Sequence, residues 1–243
     1  MNNIYVPPVV KNLLIINVLF FIAKYVLSSL NLNYILGAFY FDSQFFRVWQ
    51  LVTYMFMHGD LMHLFFNMFG LFMFGSALES RWGPKRFLNF YLITGLGAVA
   101  LQMGVQAFEV YQITGAIRNP IHIDLSTQMI NFGMQGLSYD DQLTLGGIYS
   151  TPMVGASGAI FGILVAFGML YPNTELYLMF IPVPVKAKYF IPLYIVFELY
   201  MGVAKIPGDS VAHYAHLGGA LLGFLLVKLW KDRNNDRFYD YYE

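Results

Sequence analysis

Ser157 stands in Gly155-Ala156-Ser157-Gly158-Ala159-Ile160-Phe161-Gly162, at the mouth of an apolar run that reaches Leu170. His216 opens a second such run, Ala215-His216-Leu217-Gly218-Gly219-Ala220-Leu221-Leu222-Gly223. A hydroxyl and an imidazole are the parts of a serine nucleophile and its general base, provided the fold brings them within hydrogen-bond reach. Polar groups at membrane depth are costly unless something uses or satisfies them. Plainer readings exist: a helical serine often returns its hydroxyl to a backbone carbonyl, and His216 could be a packed histidine. Gly155 and Gly158 favour chemistry, because they let backbone or substrate come close to the hydroxyl. A helix start also presents N–H groups that can stabilise a developing oxyanion.

A third polar group lies in His58-Gly59-Asp60-Leu61-Met62-His63-Leu64-Phe65-Phe66-Asn67. His63 and Asn67 are spaced i, i+4 and share one helix face. Both side chains can donate hydrogen bonds without carrying an obligatory charge. That suits an oxyanion hole completed by the backbone N–H of Ser157. Phe161 follows Ser157 by one turn, where its ring could support the imidazole. No aspartate stands where it could orient His216, since Asp209 lies in a loop and Asp60 precedes the His63 helix. The expectation is therefore a Ser157–His216 dyad with helix packing orienting the ring. Glu198 is left without a partner, and His213 without a role. Metal binding by His213 and His216 is weakly supported, because the pair lacks a nearby acidic partner and zinc sites usually take three or four protein ligands. For His58 and His63, five-residue spacing does not put the rings on one helix face.

These residues need elements to hold them. Of the 243 residues, 58% are hydrophobic and 12% charged, against about 45–50% and about 25% in soluble proteins. Several membrane spans account for that balance. At about 20 apolar residues per crossing, six candidates emerge near 11–30, 61–78, 86–107, 157–171, 189–204 and 212–231. The fold class expected is all-α, a polytopic six-helix membrane bundle forming one domain over 1–243. Spans 2, 4 and 5 are shorter than ideal, which suggests burial within the bundle or a thinned bilayer. Pairs Gly158/Gly162 and Gly219/Gly223 have the small-xxx-small spacing that lets membrane helices approach closely. Gly219 and Gly223 fall on the face of His216, so this packing could join spans 4 and 6.

Charge sets the orientation. With the N-terminus inside, ten basic residues fall on inner segments: Lys11, Arg81, Lys85, Arg86, Lys186, Lys188, Lys228, Lys231, Arg233 and Arg237. Three, Arg47, Arg118 and Lys205, fall outside, and Lys24 lies in span 1. This positive-inside bias predicts cytoplasmic termini. Spans 2, 4 and 6 then begin at the outer face, so His63, Ser157 and His216 meet at one depth just below it.

The remaining composition excludes other classes. With 14 basic and 14 acidic residues the chain is neutral, and no nucleic-acid partner is expected. Cysteine is absent, which rules out thiol catalysis and disulfides. Residues 108–151 read as a long outer loop, residues 175–188 as an inner connector, and 232–243 as a short polar cytoplasmic tail. Segment 205–211, with Pro207 and Gly208, and parts of span 5 are candidates for movement that admits substrate. The first apolar run reads as a retained span rather than a signal peptide, which favours a bacterial-type plasma membrane.

Together the motifs resemble the rhomboid intramembrane serine proteases. The matching residues are His58, His63 and Asn67 on span 2, Gly155-x-Ser157-Gly158 opening span 4, and Ala215-His216-x-Gly218 on span 6. Glu79-Ser80-Arg81-Trp82-Gly83 matches the family's acidic–basic segment, and the likeness covers roughly Trp49 to Lys228. The resemblance implies Ser157 as nucleophile, His216 as base, and His63 and Asn67 as oxyanion donors. It further implies a structural role for His58 and a ring packed on the catalytic histidine at Phe161. It implies cleavage of transmembrane protein substrates in the lipid bilayer near the outer face, with no cofactor and no metal. Segment 108–151 departs from the family's compact bacterial members in its length. A tolerated insertion, a cover over the site or a contact with substrate would each explain it. Two rival functions remain, a non-catalytic relative that escorts membrane clients and a small transporter. The first typically lacks the serine or histidine present here, and the second gives no reason for glycines beside one serine.

Overall fold

The computed structural model describes residues 5–124, 127, 129–177, 183–204 and 211–230. Each expected span carries a helix. They are α1 (Pro8–Val26), α2 (Leu61–Trp82), α3 (Pro84–Thr114), α5 (Ser157–Leu170), α6 (Ala187–Ala204) and α7 (His213–Leu229), with α4 (Tyr139–Ser150) lying between α3 and α5. Helices α1, α2, α3 and α6 are long and apolar enough to cross a bilayer by themselves. Their outer faces keep large apolar residues exposed, including Leu19 and Ile22 on α1 and Leu193 and Val196 on α6, as a lipid-facing surface requires.

Helix α5 has 14 residues and α7 has 17. The short α5 is the centre of the bundle, packed against α2, α3, α6 and α7, and most of its residues from Gly158 to Phe167 are buried. A helix enclosed by protein has no need to match the bilayer. Small residues set its distance from α7. A methyl group on Gly219 would fall on the Gly158 carbonyl, and one on Gly223 would lie 2.7 Å from Cα of Gly162. The two backbones are thus in direct contact at both glycine pairs.

Helix α2 runs four residues beyond its expected end, to Trp82, by way of a π turn at Leu71–Gly75. The extension positions Glu79, whose buried carboxylate accepts from the N–H groups of Val9 at 2.9 Å and Val10 at 2.7 Å. Those are unpaired donors at the start of α1, so Glu79 caps a helix from a distance. At the other end of α1, Lys24 is satisfied as well. Its Nζ donates to the carbonyl oxygens of His58 at 3.0 Å and Gly59 at 2.6 Å, and so pins the turn that leads into α2.

Segment 108–151 is not the structureless loop its composition suggested. Helix α3 continues to Thr114, a hairpin pairs β1 (His122–Asp124) with β2 (Met129–Asn131), and α4 starts at a capping box formed by Ser138 and Asp141. This part has its own apolar cluster of Val110, Ile121, Ile123, Leu145, Ile148 and Tyr149, closed by Tyr40 from the α1–α2 connection. Polar ties reinforce the junction. Ser43 Oγ donates to the Tyr149 carbonyl at 2.6 Å, and the Tyr149 hydroxyl donates to Asp42 at 2.9 Å. The elements are too short for a periodicity signal, and the cluster that stabilises them depends on Tyr40, distant in sequence. In the connector after α5, β3 (Glu175–Leu176) pairs with β4 (Val185–Lys186). Pro182, residues 205–210 and the expected tail at 232–243 lie outside the described residues.

Candidate active site

Ser157 is the first residue of α5 and His216 lies in the first turn of α7. The close approach at the glycine pairs brings Ser157 Oγ to 2.8 Å from Nε2 of His216. Phe161 stacks on the His216 ring at 4.3 Å between centroids and 8° between planes, and its other neighbour is Tyr194 of α6 at 5.0 Å. Gly158 makes this crowding possible, since a side chain there would fall on Cβ of Ala98 in α3.

Gly155 has φ of +131°, a region that residues bearing a Cβ rarely adopt. A Cβ at this position would lie 2.7 Å from Nε2 of His63 and 3.5 Å from Ser157 Oγ. The space beside the serine is therefore bounded by Gly155 and the His63 ring. Nδ1 of His63 accepts a long bond from the Gly59 N–H at 3.4 Å. That arrangement puts the ring proton on Nε2, the nitrogen on the Gly155 side. Asp60 caps α2 by accepting from the His63 N–H at 2.8 Å, a bond that holds its exposed carboxyl below the usual range. Asn67 is buried one turn further along, where its Nδ2 donates to the His63 carbonyl at 2.7 Å. Its contact is with the backbone of its own helix, so of the two expected oxyanion donors it is His63 that faces Ser157.

His58 is fully buried and lies edge-on to His63 at 5.0 Å. Burial, with His63 close by, pushes its pKa down from 6.5 to about 3. The folded protein therefore holds His58 neutral while the unfolded chain protonates it below about pH 6.5. Between those values the unfolded state binds more protons, so stability falls as pH drops through this window, by about 1.4 kcal/mol per unit from His58. The thermal midpoint in detergent should fall between pH 6.5 and 4.5, and His58→Asn should flatten that slope. An unchanged slope in the variant would refute this account.

Packing alone does not orient His216, which corrects the sequence reading. Nδ1 of His216 lies 2.8 Å from Oε2 of Glu198 on α6, and Nδ1 of His213 lies 2.7 Å from the same oxygen. Glu198, His213 and His216 are all buried. Sequence reasoning missed this cluster because its members sit on different helices. The available signal was an acidic residue in an apolar span, facing an i, i+3 histidine pair on the next one.

Comparison with known proteins adds family to geometry. A family model described as the Rhomboid domain matches residues 46–232. An uncharacterized mitochondrial rhomboid protein of Schizosaccharomyces pombe is 28% identical over 77% of this chain and 53% of its own length. The mitochondrial RHOMBOID-like protein 12 of Arabidopsis thaliana is 29% identical over 72% of this chain and 44% of its own. Rhomboid protease AarA of Providencia stuartii is 28% identical over 73% of this chain and 54% of its own. The chain thus spans about half the length of these relatives. Mitochondrial and bacterial relatives stand at similar identity, so they give no support to the bacterial plasma membrane expected from the sequence.

Proposed function

The chain belongs to the rhomboid family, and from that premise we propose that it is an intramembrane serine protease cutting transmembrane protein substrates. The observation that carries the reading is the 2.8 Å approach of Ser157 Oγ to His216 Nε2, beside a space kept open by Gly155. In the first step Ser157 Oγ attacks the scissile carbonyl carbon as its proton passes to His216 Nε2. The carbonyl π pair moves onto oxygen, and this oxyanion accepts from His63 Nε2–H and the Ser157 backbone N–H. Collapse expels the amine, which takes the proton back from His216, and leaves an acyl-Ser157 ester. Water, deprotonated by His216, attacks the ester and releases the carboxyl product and the free hydroxyl. No cofactor or metal enters these steps.

The positive-inside asymmetry puts the starts of α2, α5 and α7 just below the outer face, with both termini cytoplasmic. Water and substrate reach Ser157 from that side, and movement of α6 admits the substrate helix. The test uses the purified protein in proteoliposomes with a tagged substrate whose transmembrane helix contains helix-weakening residues. Two products whose masses define one cut near the outer end are expected, together with a fluorophosphonate adduct mapped to Ser157. A folded protein that neither cuts nor takes the probe would instead be a non-catalytic relative that binds membrane clients.

A further inference from the structure

Glu198, His213 and His216 form a buried polar cluster whose chemistry goes beyond a two-residue mechanism. The carboxylate comes from α6 and both rings from one face of α7. A single oxygen, Oε2, meets both Nδ1 atoms at 2.7 and 2.8 Å. One carboxylate oxygen can accept from two donors. Each ring must then carry its proton on Nδ1. For His216 the consequence is specific, because Nε2 is left with a free lone pair 2.8 Å from Ser157 Oγ. That is the tautomer a general base requires.

A metal reading of the same trio fits the geometry less well. Ligand atoms about 2.0–2.2 Å from a tetrahedral zinc ion stand more than about 3 Å from one another. Here the carboxylate oxygen approaches both nitrogens at hydrogen-bond distance. The helices are also built to keep the carboxylate where it is. Gly202, one turn beyond Glu198, lets α6 lie against α7, since a Cβ there would be 3.2 Å from Cβ of His213. The Tyr214 hydroxyl donates to the Gly202 carbonyl at 3.0 Å. Tyr194, one turn before Glu198, packs on the Phe161 ring that stacks on His216.

We propose that Glu198 is a positioning residue for the protease reading above, fixing His216 in its Nδ1–H tautomer and stabilising the imidazolium that forms during attack, with His213 as the second donor that holds the carboxylate in place. The inference rests on that reading and extends it, because the residue that sets the base comes from α6 while nucleophile and base come from α5 and α7. Substrate admission by movement of α6 would then also loosen the base, so that the site is complete only when α6 is in place.

The test combines kinetics with histidine ¹⁵N NMR on the full chain in detergent. In the wild type, His216 signals, assigned by their loss in His216→Ala, should show a protonated Nδ1 and an unprotonated Nε2. Glu198→Gln keeps the shape but loses the charge, and its N–H competes with its oxygen for Nδ1, so the Nδ1–H tautomer is no longer enforced. It should lower kcat on the order of 10³-fold with KM within about twofold, short of the about 10⁴-fold cost of a fully wrong tautomer in a serine protease triad, and should raise the share of the Nε2–H form. Wild-type kcat in Glu198→Gln would overturn the inference. So would a resting wild type with its proton on Nε2, a measurement that does not depend on the variant folding. The two readings fail separately. Cleavage by Ser157→Ala removes Ser157 as the nucleophile of the protease reading, whereas inactive Ser157→Ala with fully active Glu198→Gln removes only the role of Glu198.

Discussion

Ser157→Ala should reduce cleavage of a transmembrane reporter to background, a loss on the order of 10⁴-fold or more, while the protein remains as stable as wild type. The two halves of this result have different physical causes. Activity is lost because Oγ is the atom that forms the acyl bond in the proposed reaction, and no other hydroxyl in the described contacts is bonded to His216 Nε2. Stability is kept because the residue is only partly buried and opens a helix rather than filling its core. Removal of Oγ leaves Nε2 without its partner, but water entering the site from the outer side can take that place. A shift of no more than about 0.5 kcal/mol is expected, as for substitutions away from tight packing. The measurement is product formation in proteoliposomes beside thermal unfolding of the same preparation. Residual cleavage above about one per cent of wild type would mean that another nucleophile acts, and would remove Ser157 from the mechanism.

Much of this site was legible in the chain because its signals are local. Glycines on either side of Ser157, the i, i+4 pair His63 and Asn67, and the small-xxx-small pairs are each contained in one turn or two. The spans were legible for the same reason, since apolar length is a property of a single segment. What escaped was set by contacts between segments. Glu198 lies 18 residues from His216, on a neighbouring helix, and nothing in its own surroundings shows which way it faces. Lys24 looked like an isolated charge within a span, yet it reaches carbonyl groups 34 and 35 residues away. The hairpin and α4 escaped because their cluster is closed by Tyr40. Asn67 shows the converse limit, where the right spacing puts the side chain on the right face but its amide bonds to its own helix.

The second large effect is expected at a residue that touches neither substrate nor the reacting atoms. Gly219→Val should lower both cleavage and stability. A Cβ at Gly219 falls on the Gly158 carbonyl, one residue from Ser157. This obstacle is backbone, so no rotamer change relieves it and α5 and α7 must separate. The pair at Gly162 and Gly223 resists that movement, because those backbones are also in contact. Strain of this kind typically costs about 1–3 kcal/mol. The catalytic cost is larger in proportion, since Ser157 and His216 sit on opposite sides of the contact at hydrogen-bond distance. A displacement of about 1 Å between reacting groups can lower the rate about 10²-fold. Gly104→Ala in α3 supplies the control, because a Cβ there meets nothing within 4 Å and should leave the rate unchanged. Fluorophosphonate labelling separates the effects further, because a Gly219→Val protein that stays folded should label slowly at Ser157. A variant that cuts and labels at the wild-type rate would show that the α5–α7 contact does not set the distance between nucleophile and base.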